Sequence, residues 1–196
     1  MSDPHDVLRE DPVMADLVDR HGPIEVSPVE DEFRRLCTSI INQQLSTASA
    51  SAVRKRVFDT LEGHVEPETV LAADRSALKD AGLSDAKVEY VRNVAEAFSE
   101  QDLSREGLSG HSNDEVIEAL TQIRGVGEWT ARMYLIFALA RPDVLPLGDL
   151  GVRNGIQQIY ANGEELSRSE MRSIAETWRP YRSYGTRYIW REYESD

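Results

Sequence analysis

The sequence predicts an all-α fold, and two observations carry that expectation. Apolar residues recur at three- and four-residue spacing along most of the 196-residue chain, while the strict alternation of a half-buried strand is scarce. Helix punctuation sits at the breaks, with Pro67 and Ser84 opening runs and Gly82 closing one. In chain order, Asp11 to Arg20 places Val13, Met14, Leu17 and Val18 on one face. Asp31 to Gln44 repeats the pattern with Phe33, Leu36, Cys37, Ile40 and Ile41, and Ser46 to Leu61 with Ala50, Val53, Val57 and Leu61. Short helices are expected at Pro67–Leu71 and Ser76–Asp80, then a longer one from Ser84 through Phe98 with Val88, Val91, Val94 and Ala95 inward. The polar, glycine-bearing stretch Glu100–Asn113 reads as a loop. Asp114–Gln122, Glu128–Leu139, Leu150–Tyr160, Arg168–Trp178 and Tyr181–Tyr193 complete a set of roughly ten or eleven helices.

Composition bounds the function classes. Hydrophobic residues at 40% and charged residues at 29% are ordinary for a globular chain. No apolar run approaches the ~18–20 residues that span a bilayer, and the acidic start Met1–Asp6 lacks a secretory pattern. Cys37 is the single cysteine, and the four histidines are scattered, so internal disulfides and cysteine-held clusters are excluded. These features imply a reducing, cytoplasmic setting, with no cofactor and no catalytic transition metal. The net charge of −13 argues at first against nucleic acid. Yet only Lys55, Lys79 and Lys87 are lysines, and an acid-rich, lysine-poor surface suits a protein kept soluble in concentrated salt. A DNA binder under those conditions would lean on backbone hydrogen bonds, stacking and base extrusion rather than counterion release.

The most informative stretch is Leu120 to Ala131, where a helix ends, Gly125 and Gly127 flank Val126, and a second helix starts at once. Glycine permits the positive φ of such a turn and close approach of another backbone. The second helix then offers unsatisfied N–H groups and a positive dipole end, which suit a phosphate. Carbonyls of the same turn, at Thr121, Ile123 and Val126, would hold a monovalent cation. The plain alternative is a helix corner with no ligand. Asp149 follows 22 residues after Gly127, in Pro146-Leu147-Gly148-Asp149-Leu150. By itself an Asp there is an N-cap for Leu150–Tyr160, and the two roles are compatible.

Helix, hairpin, helix, Pro/Gly loop and then Asp is the order of the helix-hairpin-helix DNA glycosylases, and from about Phe33 to Trp190 the chain closely resembles the 3-methyladenine DNA glycosylase II family. Three further blocks carry the resemblance: Ile40–Ser46, Gly82-Leu83-Ser84 with Lys87, and the tail Trp178 to Trp190. The resemblance implies base flipping and cleavage of the N-glycosidic bond of 3-methyladenine or 7-methylguanine in double-stranded DNA. It assigns Asp149 to stabilising the oxocarbenium-like sugar, and Trp129 and Trp190 to an aromatic pocket for a cationic purine. It places Gln43, Gln44 and Leu45 where a wedge enters the gap left by the flipped base. Gly125, Val126, Gly127 and Thr130 fall to the DNA-holding hairpin. Bifunctional members carry a Schiff-base lysine where Trp129 stands, so hydrolysis without lyase activity is expected. Met133 and Leu150 occupy pocket positions where the family has aromatics. Arg153, Arg179 and Arg182 are candidates to steady phosphates or Asp149.

The expected layout is two helical lobes flanking an active-site cleft. One combines residues 1–44 with 145–196; the other, 45–140, contains the helix-hairpin-helix at about 114–139. A monomer is expected. The rival readings are a glycosylase for uracil, hypoxanthine or oxidised guanine, a non-catalytic DNA-binding module, and an interaction protein using the hairpin as a helix corner.

Overall fold

A computed structural model of the chain describes residues 2–195, with the side chain of Thr47 outside that description. In chain order the helices are α1 (Pro4–Leu8), α2 (Pro12–His21), α3 (Glu32–Asn42), α4 (Thr47–Thr60), α5 (Pro67–Ala72), α6 (Arg75–Asp80), α7 (Asp85–Glu100), α8 (Asn113–Thr121), α9 (Glu128–Phe137), α10 (Leu150–Ala161), α11 (Arg168–Glu176) and α12 (Arg182–Tyr193). No strand occurs among the described residues, so the all-α expectation holds. None of the described helices is long and apolar enough to cross a membrane. The one helix the periodicity gave no sign of is α1. It is five residues long, too short to show a repeat, and is held by the Asp3 carboxylate, which accepts the His5 N–H, with Pro4 in its first turn.

The chain divides into two compact units, one of residues 1–27 with 140–196 and one of residues 28–139. This moves the boundary expected after residue 44. Helix α3 does not join the terminal segments; its face of Phe33, Leu36, Cys37, Ile40 and Ile41 is buried against α4, α7 and α9 of the 28–139 unit. The Phe33 and Phe98 rings meet edge to face at 5.3 Å. An amphipathic stripe shows which face is buried but not against which partner, and hence the misassignment.

The terminal unit has a core of its own: Leu8, Met14, Leu17, Val18, Val152, Ile156, Met171, Trp178, Tyr188 and Ile189. Two glycines set its tightest contacts. A Cβ on Gly155 of α10 would stand 2.5 Å from Ile189 Cγ2, so α10 and α12 lie closer than a side chain there would permit, and one on Gly185 of α12 would stand 2.6 Å from the ring of Trp178, just beyond α11. Among the buried polar groups, Asp11 uses both oxygens of its carboxylate. Asp11 caps α2 through Oδ1, and its Oδ2 accepts from Tyr160 and Thr177, each at 3.0 Å.

Candidate active site

In the terminal unit, one helix braces the loop that carries the candidate carboxylate. At the start of α12, Arg182 grips Asp143 through two nitrogens at 2.5 and 3.0 Å. The adjacent Ser183 is fully buried; its hydroxyl donates to the Arg141 carbonyl at 2.6 Å and accepts the Val144 N–H at 3.0 Å. Near the other end, Trp190 Nε1 donates to Asp149 Oδ1 at 3.0 Å. The same oxygen accepts the Val152 N–H at 2.9 Å, so Asp149 is the N-cap of α10 as well. Two donors on one oxygen fix the plane of the carboxyl group. Arg153, one turn into α10, closes the arrangement by donating to the carbonyls of Leu147 and Gly148, both at 3.0 Å. Gly151 makes room: a Cβ there would lie 3.2 Å from Asp149 Oδ1 and 3.4 Å from Trp190 Cδ1.

In the 28–139 unit, the turn between α8 and α9 is the expected hairpin. Gly125 takes φ +106°, closed to L side chains at low energy, and a Cβ there would strike the Tyr90 ring at 2.3 Å. Val126 is buried, so it offers only backbone. Gly127 caps α9 with no side-chain hydrogen bond, and a Cβ on it would meet nothing within 4 Å. The turn is pinned from behind, with Asn93 Nδ2 donating to the Arg124 carbonyl at 3.0 Å and Gln43 Nε2 to the Gly125 carbonyl at 3.2 Å. Of the carbonyls expected to hold a cation, that of Ile123 accepts the Val126 N–H, leaving one lone pair for an ion.

The earlier turn at Gly82-Leu83-Ser84 repeats this geometry. Gly82 takes φ +110° and Leu83 is buried like Val126, but there Arg56 Nε donates to the Ala81 carbonyl at 2.9 Å and the Ser84 hydroxyl caps α7. Both turns thus have a side chain from a neighbouring helix on the carbonyl before the first glycine, and the first is also capped by its own Ser84. The second keeps its helix N-terminus clear of any side-chain cap.

The HhH-GPD pattern, that of the superfamily of base excision DNA repair proteins, matches residues 37–180. The chain belongs to this superfamily. YfjP of Bacillus subtilis is 31% identical over 162 residues, and this chain spans 79% of itself and 56% of that relative. Among solved structures, a DNA-3-methyladenine glycosidase from Bacillus halodurans is 33% identical with a TM-score of 0.84, over 95% of this chain and 87% of that one. The Schizosaccharomyces pombe 3-methyladenine DNA glycosylase Mag1, solved in complex with abasic DNA, is 28% identical with a TM-score of 0.84, over 97% and 96% of the two chains.

Against the HhH-GPD expectations, the site residues sort by unit. Asp149, Leu150 and Trp190 lie in the terminal unit, with Asp149 and Trp190 in direct contact. Gln43, Gln44, Leu45, Trp129, Met133 and the hairpin lie in the 28–139 unit. The large hydrophobic side chains exposed among the described residues are Leu45 at 37%, Trp129 at 40% and Leu150 at 60%, each in a segment the sequence singled out. Five of the assigned residues have partners or burial that the sequence did not show. Thr130 is 2% exposed, and its hydroxyl accepts from Gln43 Nε2 at 3.3 Å, so its side chain braces the hairpin. Gln43 makes that bond and one to Gly125, and Gln44 and Leu45 are the exposed members of the segment expected to wedge. Arg179 and Arg182 are paired with Asp143 and Glu176. Met133 is buried at 4% exposure.

Asn93 and Tyr90 support the turn and were not singled out by sequence reasoning. Their signal was weak, an aromatic and a polar residue beside the buried stripe of α7, and only the fold brings them under a turn more than 30 residues later.

Proposed function

We propose that the protein is a monofunctional DNA glycosylase that flips alkylated purines, 3-methyladenine or 7-methylguanine, out of double-stranded DNA and hydrolyses the N-glycosidic bond. The observation that carries the reading is the Asp149 carboxylate, held at the head of α10 by the Trp190 indole and the Val152 N–H in a chain of the HhH-GPD superfamily. As the bond between C1′ and the base nitrogen lengthens, positive charge grows on the sugar, and a fixed carboxylate opposes it without reorganising. Water then adds to C1′, its proton is lost, and the departing electron pair stays on the base. A methylated purine is already cationic and leaves without strong general-acid help. The α9 N-terminus at Gly127 receives a backbone phosphate, and a monovalent cation, where bound, would be held by the carbonyls of Thr121, Ile123 and Val126 and add positive charge there. Trp129 stands where a lyase would need its amine, which supports hydrolysis without strand cleavage.

The test is to incubate the protein with methylated duplex across a range of potassium chloride and to separate released bases by chromatography, with Asp149→Asn alongside. Release of methylpurines by the unaltered chain, lost in the variant, with no strand nicking, is the expected result. No release at any salt while DNA is still bound defeats the alkylpurine reading. Duplexes carrying uracil, hypoxanthine or oxidised guanine then identify the lesion.

A further inference from the structure

We infer that Lys87 is a positioning residue for DNA engagement, its ammonium locking the Gln43–Leu45 segment into the conformation that presents Leu45. The inference rests on the glycosylase reading and adds to it a residue outside both the hairpin and the Asp149 loop. Lys87 lies in the first turn of α7, yet its Nζ reaches the C-terminal end of α3 and donates to the Ile41 carbonyl at 2.8 Å and the Gln43 carbonyl at 2.6 Å. A cation at that end meets the negative pole of the α3 dipole and two carbonyls that the helix itself leaves unsatisfied.

The Gln43 carbonyl belongs to the peptide that leads into Gln44, so gripping it sets the plane from which the Gln44 φ is measured. Gln44 takes φ +56°, a left-handed conformation that a non-glycine residue holds only where its surroundings impose it. On the other side the Gln43 amide is bonded to the Gly125 carbonyl and the Thr130 hydroxyl, so Gln43 is fastened at both its main chain and its side chain. Immediately beyond stand Gln44 and Leu45, both exposed. An arginine elsewhere would serve as a generic surface charge, but Lys87 is half-buried and spends its donors on main chain. Burial holds its pKa below the ordinary lysine value, consistent with an amine sited for structure rather than for solubility.

The test is a double-mutant cycle of Lys87→Met and Leu45→Ala on a methylated duplex with 2-aminopurine next to the lesion, following both base release and the fluorescence rise on flipping. Alone, Lys87→Met is expected to lower the flipping amplitude and the release rate by about tenfold, the weight of a charge-assisted bond. In the Leu45→Ala background it is expected to add little, because the two act through one step. Full additivity overturns the inference and makes Lys87 a purely structural residue. Hydrogen exchange of the free protein supplies a readout independent of catalysis. Amides of residues 43–46 are expected to exchange about tenfold faster in Lys87→Met, with recovery in Lys87→Arg. Unchanged exchange there overturns the inference even if the enzyme is active. Failure of the unaltered chain to release any base, with the exchange result intact, instead counts against the glycosylase reading.

Discussion

Replacing Trp190 with Phe isolates the contribution of one hydrogen bond to the chemistry. The substitution keeps an aromatic ring against the terminal core but removes the Nε1–H that reaches Asp149 Oδ1 at 3.0 Å. A hydrogen bond to a charged group contributes about 1.5–3 kcal/mol. The Val152 N–H still holds the same oxygen at 2.9 Å, so the lower half of that range applies. The expected loss is therefore about 10- to 45-fold in the rate of the chemical step. Because the bond orients the carboxylate rather than binding the base, KM should stay within about twofold. Single-turnover release of 7-methylguanine, with protein in excess over DNA, reads that step directly. The smaller ring also loosens packing by about 1 kcal/mol, a fall of roughly 2–4 °C in Tm, so a rate measured well below melting separates the two effects. In an Asp149→Asn background the Trp190→Phe change should add almost nothing. A single-turnover rate within twofold of the parent refutes the orienting role. A raised KM with an unchanged rate would instead assign the indole to stacking on the extruded base, as the sequence alone suggested.

Three further outcomes follow from the geometry. Gly125→Ala meets both a forbidden φ and the Tyr90 ring, and should cost about 2–5 kcal/mol, whereas Gly127→Ala should melt within about 1 kcal/mol of the parent yet bind duplex DNA more weakly; thermal melts and fluorescence anisotropy separate the two. Arg153→Met releases the carbonyls of Leu147 and Gly148, and base release should slow by about tenfold with DNA affinity preserved. In acid, the capping boxes lose their contribution: hydrogen bonds from the Ser112 backbone and the Ser167 hydroxyl hold the Glu115 and Glu170 carboxyls below the usual value of 4.5. Their folded pKa values are depressed, so the stability they add is present above pH 4.5 and is lost as pH falls through the lowered values. Melting curves of a Glu115→Gln, Glu170→Gln double variant should show a shallower acid slope than the parent.

The sequence by itself determined the helices, the hairpin and the carboxylate. Each of those signals is local: the stripe of α3, the Ser84 start of α7, the Gly-Val-Gly turn, and the Pro/Gly loop before Asp149 lie within a few residues of the structure they encode. Order along the chain was enough to raise the superfamily. What only the tertiary structure decided are the partners. Sequence placed α3 with the terminal segments because a stripe of Phe33, Leu36, Ile40 and Ile41 fits any complementary face, and the fold gave it to α7 and α9. Gln43 and Thr130, which the resemblance gives to DNA, are brought together across 87 residues of chain, where the Gln43 amide donates to the Thr130 hydroxyl. Trp190 reaches Asp149 across 41 residues, and Lys87 reaches Gln43 across 44. A hydrogen bond depends on tenths of an ångström, which periodicity does not encode, so the residues that position the site become visible only once the helices are packed.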